Sequence, residues 1–282
     1  MRSRYDSQFS KKKMIQPLAY IHPDAKIAHN VVIEPFAMIH KDVEIGEGTW
    51  IGSHVVINEG ARIGKNCKIY SGAVVSSIPQ DLKYKGEYTL TYIGDNTTIR
   101  EYATVSRGTE EHWKTEIGSH CLVMAYAHIA HDCRVGDHCI IGNNVQMAGH
   151  VHVGDWSIIS ALSAVHQFTR IGIHSFIAGA TLVRKDVPPF TKAAREPISY
   201  AGINSVGLRR RGYTNEQIAD IQNVYRYVFV KGLNNADALS LIEIELPASK
   251  ERDEIVNFIR NSERGIIKSP LQTAPKEAGE MD

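Results

Sequence analysis

Long apolar runs are missing from this chain. No stretch approaches the roughly 20 residues that a membrane-spanning helix requires, so no membrane span is expected. Charge of one sign is missing too. Lys and Arg number 32 against 31 Asp and Glu, a formal net charge of +1, which gives no ground for nucleic acid as the main partner. Cysteine is scarce: Cys67, Cys121, Cys133 and Cys139 form no CxxC pair, and their even number alone does not establish disulfides. The basic start MRSRYDSQFSKKK lacks the apolar stretch of a secretory signal, so a cytoplasmic protein is expected. Residues 1–13 are read as a flexible extension or a non-native addition, with Met14 a candidate internal start. The remaining composition, 43% hydrophobic and 22% charged over 282 residues, suits one or two globular domains with a sizeable core.

What is present is a period of six. Ile21, Ile27, Ile33, Ile39, Ile45, Ile51, Ile57, Ile63, Ile69 and Val75 form one unbroken series. Ile93, Ile99 and Val105 continue it, and a run from Ile117 to Val183 completes it, with Met147 the one member that is neither Ile nor Val. Two insertions, 76–92 and 106–116, return the chain to the same phase. A second column, four residues after each aliphatic one, is mostly small or β-branched and includes Ala25, Ala37, Ala61, Ala103 and Ser157. All four cysteines fall in this column, which makes them small inward fillers rather than nucleophiles. Glycine often follows the aliphatic residue, as at Gly46, Gly52 and Gly136, where a chain turning every six residues is expected to need permissive dihedrals.

Neither an α-helix nor a simple strand produces this pattern; short strands joined by tight turns do. Three hexads make a triangular coil, so residues 18 apart stack about 4.8 Å from one another. Hexapeptide repeats mark parallel β-helices. Periodicity does not fix the hand, but the repeat resembles the left-handed hexapeptide family, an exception to the right-handed crossover rule. The β-helix is expected over 14–190 and a small α-helical C-terminal domain over 191–282. Pro188 and Pro189 interrupt the repeat. Thr214 followed by Gln217 signals a capping box, and Ile218, Ile221, Tyr225, Val228 and Phe229 share one helical face. Segments near 235–246 and 249–261 read as further helices.

Stacking turns the sequence into a map of faces. Hexads starting at Ile93, Ile129, Met147 and Val165 differ by multiples of 18 and are assigned to one face, along which His131, His150 and His166 climb. The first insertion leaves from Val75 on this face and carries Gln80, Asp81 and Lys83. A face that concentrates histidines beside a polar loop is a candidate site, and imidazole suits general-base work near neutral pH. Several of the 13 histidines, such as His29, His54 and His120, fit solvated outward positions. His128-Ile-Ala-His131-Asp132 stands apart because it joins two imidazoles to a carboxylate.

The segments GAVVSSIPQDLKYKGE, TIREYATVSRGT, AHIAHDC, MAGHV, AVHQF, DVPPF and GINSVGLRRRGY together resemble the acyl-ACP–UDP-N-acetylglucosamine O-acyltransferase family of lipid A synthesis, from about residue 18 through the C-terminal helices. The repeat alone is shared by many transferases; QDLKYKGE, AHIAHDC, AVHQF and GLRRRG in this order are specific. The resemblance implies transfer of an (R)-3-hydroxyacyl chain from acyl carrier protein to the sugar 3-hydroxyl of UDP-N-acetylglucosamine. It makes His131 the base, Asp132 its orienting carboxylate and the Gly149 N–H the oxyanion donor. Asp81, Lys83, His128, His150, His166 and Gln167, with Gln80 in the same loop, resemble sugar and acyl contacts, while Asn204, Arg210 and Arg211 resemble groups near the nucleotide and its phosphates. On charge alone, Arg209–Arg211 reads equally as a solvated turn or a docking patch for an acidic carrier protein. Gly179 matches the position limiting acyl length, or serves only a coil corner. Val206 stands where some relatives carry glutamate, which puts any ribose or base contact there in question. The family implies a homotrimer with sites between neighbouring prisms, no metal, and no cofactor beyond the phosphopantetheine thioester of the donor.

Three rivals remain open on sequence. The later N-acyltransferase of the same pathway carries a sizeable N-terminal domain, for which hexads starting at Ile21 leave no room. A β-helical zinc carbonic anhydrase would also use three histidines, but this chain has no histidine pair separated by four residues. A non-catalytic scaffold would leave QDLKYKGE and AHIAHDC as surface loops.

Overall fold

A computed structural model describes residues 15–269. The extension expected at 1–13 and the end of the chain, 270–282, lie outside the described residues. Strands of mostly two residues alternate with two-residue turns and wind into three sheets of nine, eight and ten strands, parallel except for the last pair of the third. The first face stacks Tyr20–Ile21, Met38–Ile39, Val56–Ile57, Val74–Ser77, Thr104–Ser106, His128–Ile129, Gln146–Met147, Ala164–Val165 and Leu182–Val183. The second runs from Lys26–Ile27 to Arg170–Ile171 and the third from Val32–Ile33 to Phe176–Ile177 and beyond. Register follows the eighteen-residue step, as in Ile129 opposite Met147 and Met147 opposite Val165.

Both sequence columns point inward. Ile33, Ile39, Ile51, Ile57, Ile69, Ile99, Ile129 and Ile141 have no accessible surface, and Ala37, Ala61 and Ala103 fill the corners between them. The four cysteines are free and buried in that second column. The Cys133 thiol faces the Ala148 carbonyl at 3.1 Å, and burial pushes its pKa up to about 12, so it stays protonated.

Three sequence expectations need correction. Ile93 lies on the second face, between Ile63 and Ile117, not on the face of Ile129. The first insertion adds twelve residues beyond a hexad and the second adds six; only after both is the full eighteen-residue step restored, so Val75 and Ile129 do share the first face. The glycines after the aliphatic residue are not needed for their dihedrals. A Cβ on Gly46 would stand 2.7 Å from the carbonyl carbon of Gly64 in the next coil, so close backbone approach is the constraint. The left-handed conformation falls two residues later, often on Asn, Asp, His or an aromatic, as at Asn66, His138 and Trp156.

Pro188 and Pro189 do not end the sheet: Thr191–Ala194 pairs in parallel with Phe176–Ile177, and Ser199–Ile203 returns antiparallel across it. Helices begin only at α1, Ser205–Arg210, followed by α2, Asn215–Phe229, α3, Asn235–Glu245, and α4, Lys250–Arg260. The α2 capping box forms, with Gln217 N–H donating to Thr214 Oγ1 at 3.1 Å and Thr214 N–H to Gln217 Oε1 at 2.9 Å. The five expected α2 residues are buried, Tyr225 donates to the Pro189 carbonyl, and Tyr200 stacks on Phe229 at 4.3 Å. Among the described residues no helix is long and apolar enough to cross a membrane.

Candidate active site

Both insertions leave the column at the corner between the first and second faces. One departs from Val74–Ser77 and returns at Leu90–Ile93; the other departs from Thr104–Ser106 and returns at Lys114–Ile117. His131 occupies the same corner one step further on, in the turn after His128–Ile129. Asp132 takes the left-handed conformation there, φ 58°, and its N–H donates to Thr115 Oγ1 at 2.9 Å. That aims its carboxylate back at its neighbour: His131 Nδ1 and Asp132 Oδ2 are 2.8 Å apart.

The Asp132 side chain is fully buried. Burial raises the cost of its charge, but hydrogen bonds from His131 and Thr109 outweigh this and hold the pKa below the usual carboxylate range. With Asp132 ionised, the proton of a neutral His131 sits on Nδ1, and Nε2 turns its lone pair outward. Asp81 Oδ2 of the first loop is 4.0 Å from that nitrogen.

One coil along, Gly149 lies beneath the His131 ring. A Cβ there would stand 2.5 Å from Cε1 and 2.7 Å from Nε2, so the absence of a side chain is what admits the imidazole. The Gly149 N–H has no protein acceptor among the described residues. His150 follows, edge-on to His131 at 5.1 Å between ring centres and stacked on Phe168 at 4.5 Å. Burial lowers its pKa despite nearby Asp132 and Glu111.

These groups and the two loops enclose a cleft of about 630 Å³ lined by Gln80, Asp81, Lys83, His131, His150 and Gln167, among others. Six of the expected site residues thus meet in one cavity. His128 and His166 lie outside its lining. His128 Nδ1 meets Thr104 Oγ1 at 2.7 Å, and burial with the nearby His131 lowers its pKa. His166 is exposed, with Nδ1 3.1 Å from the Gln167 carbonyl.

Asn204, Arg210 and Arg211 sit at a different corner, between the second and third faces. Asn204 is buried: its amide donates to the His174 carbonyl at 2.9 Å and its Oδ1 caps α1 through the Gly207 N–H. Arg211 Nη1 lies 3.2 Å from His174 Nδ1, and its guanidinium covers the Trp156 ring. Burial and the Arg211 charge drop His174 to about 4. Arg210 and Val206 are exposed. Gly179 lies at the third corner, where a Cβ would meet only the Ala161 carbonyl and Ser160 Cβ within 4 Å.

Sequence reading missed Thr109, Glu111 and Phe168. Phe168 was in reach, since it is eighteen residues from His150. Thr109 and Glu111 belong to an insertion whose path no periodicity dictates. The donor atoms of His131, Asp132 and His150 lie within 4.8 Å of one another and could in principle hold a metal ion, but both Asp132 oxygens already accept hydrogen bonds from His131 and Thr109.

Comparison with known proteins is consistent with this layout. Residues 186–267 match the family model described as UDP-N-acetylglucosamine O-acyltransferase, domain 2, and residues 42–77 and 114–149 match the bacterial transferase hexapeptide model. The acyl-[acyl-carrier-protein]–UDP-N-acetylglucosamine O-acyltransferase of Myxococcus xanthus is 46% identical over 255 residues, 90% of this chain and 99% of that one. The crystal structure of a UDP-N-acetylglucosamine acyltransferase from Bacteroides fragilis is 51% identical and superposes with a TM-score of 0.89 over 90% of this chain and all of that one. The Francisella novicida enzyme of the same name is 41% identical, with a TM-score of 0.89 over 95% of this chain and 99% of its own.

Proposed function

Because this chain belongs to the acyl-[acyl-carrier-protein]–UDP-N-acetylglucosamine O-acyltransferase family, we propose that the cleft at His131 carries out that transfer by general-base catalysis. The fold is accordingly a left-handed parallel β-helix with a small helical C-terminal part. The reaction is the first acylation of lipid A synthesis, from the thioester of acyl carrier protein to UDP-N-acetylglucosamine.

His131 Nε2 takes the proton of the sugar 3-hydroxyl as that oxygen attacks the thioester carbonyl. The negative charge that develops on the carbonyl oxygen is met by the Gly149 N–H, and Asp132 stabilises the imidazolium. Collapse breaks the C–S bond, and the phosphopantetheine thiolate leaves with the proton held by His131. Neither an enzyme thioester nor a resident cofactor takes part. Gln80, Asp81, Lys83, His150 and Gln167 orient the sugar and the acyl head.

One observation carries the reading: a buried carboxylate holds an imidazole directly over a glycine whose N–H is unused. Arg210 and Arg211 suit a diphosphate through bidentate donors, but they stand at another corner of the same chain. A homotrimer that sets one subunit's arginine corner against its neighbour's histidine corner resolves this, and we include it in the proposal. The missing side chain at Gly179, where a Cβ would press to 3.3 Å from the Ala161 carbonyl, leaves room for the end of a long (R)-3-hydroxyacyl chain, and Val206 offers the ribose no acidic partner. All substrates are water-borne, which suits the cytoplasm.

The test is an assay with acyl carrier proteins bearing a series of chain lengths, read by mass spectrometry of the UDP-sugar. His131→Ala should lose at least about 10²–10³-fold in kcat with the fold intact. Undiminished transfer by that variant refutes the base assignment.

A further inference from the structure

The second inserted loop also grips the carboxylate behind the base. The Thr109 N–H donates to Asp132 Oδ1 at 2.9 Å and the Thr109 hydroxyl to Oδ2 at 2.7 Å, the same oxygen that meets His131 Nδ1. Thr109 is buried at 7% exposure. At the far end of the loop, Thr115 Oγ1 accepts the Asp132 N–H.

Between these ends the chain folds back tightly. Trp113 N–H donates to the Thr109 carbonyl at 2.7 Å, and a Cβ on Gly108 would stand 2.6 Å from the Lys114 Cα. With two donors on its two oxygens, the carboxylate has no freedom to rotate about its last bond. The orientation of the imidazole is therefore inherited from the loop.

We propose that Thr109 is a positioning residue for the transfer: it locks Asp132 so that His131 Nε2 faces the acceptor hydroxyl. This rests on His131 being the base. Thr109→Val keeps the N–H and the side-chain shape but deletes the hydroxyl, whereas Thr109→Ser keeps it. Hydrogen bonds to charged groups and sub-ångström alignment of a base both act at the level of one to two decades.

Thr109→Val is expected to lower kcat about 10- to 100-fold with the KM for UDP-N-acetylglucosamine within about threefold, and Thr109→Ser to recover most of the loss. If Thr109→Val does not fold, Thr109→Ala takes its place with the same expectation. In an Asp132→Asn background the Thr109 substitution should cause no further loss, a non-additivity that a merely structural role would not give. Wild-type kcat in the valine variant, equal impairment of valine and serine variants, or full additivity with Asp132→Asn each overturns the proposal. His131→Ala serves as the control: if it remains active, the base assignment has failed, whereas if it is dead beside an unimpaired Thr109→Val, only the positioning role has.

Discussion

Gly149 has two roles that a single added methyl group would separate. Its missing side chain makes room for the His131 ring, and its N–H has no protein acceptor among the described residues. Gly149→Ala puts a carbon 2.5 Å from His131 Cε1, so the imidazole must swing away from Asp132. Since φ at this residue is not in the left-handed region, the backbone itself tolerates alanine. The expected outcome is a kcat loss of about 10²-fold with little change in melting temperature, measured by steady-state assay alongside thermal unfolding. Retention of activity would mean the ring can act from another position. At this scale the sequence was informative where a residue lies on the eighteen-residue lattice: His131, Gly149 and His150 were placed by it, whereas Gln167 came from the resemblance and His166, also on the lattice, falls outside the cleft. It was silent on Thr109, because a hydrogen bond from a loop to a lattice residue leaves no periodic trace.

The corner between the second and third faces stacks its turn residues into a column of rings. His138 lies on Trp156 at 3.9 Å between centres, His174 lies on Phe190 at 5.6 Å, and Arg211 covers Trp156. In this column His174 is about 4, lowered first by burial and then by Arg211, against about 6.5 in an unfolded chain. A lowered imidazole means that the unfolded state binds more protons between those two values. The stability it contributes is therefore whole above about pH 6.5 and lost as pH falls toward 4, by something on the order of 3 kcal/mol. His128, His150 and His152 are lowered too and act in the same direction, so the diagnostic is a difference. His174→Phe, which keeps a ring in the column, should show a flatter fall of melting temperature from pH 7 to 4 than the wild type; parallel curves would remove His174 from the explanation. Strands, inward columns and three of the four helices were readable from hexad phase, capping signals and the apolar faces of the helices. The face of Ile93 was not, because phase counts in sixes while faces count in eighteens. Thr191–Ile203 was missed because its strands follow two prolines and leave the repeat.

On the scale of the molecule, the expected site residues divide among three corners of one prism: the base and its loops at one, the arginines at the second, Gly179 at the third. Closed threefold symmetry would let the second corner of one subunit meet the first corner of the next. If so, His131→Ala and Arg210→Ala subunits, each inactive alone, should complement one another. After denaturation and refolding of an equal mixture, about a quarter of the sites would combine an intact base with an intact arginine. Recovery of about that fraction of wild-type rate supports the shared site, while a mixture as inactive as its parts rejects it. The sequence exposed the prism but not this division, since corner assignment depends on how many residues the insertions add.

That count has a consequence of its own. In each insertion the chain leaves the first face and comes back on the second, as an ordinary hexad does, so residues gained inside a loop only lengthen what is extruded at that corner. Six residues gained within the column, between Ile117 and Ile129, would instead add one side: all that follows would turn by a third of a revolution, leaving the imidazole on one edge and the loops meant to cover it on another. Such a chain would keep its inward columns and fail as a catalyst, which makes the hexad count between the loops and His131 the quantity this architecture has least freedom to vary.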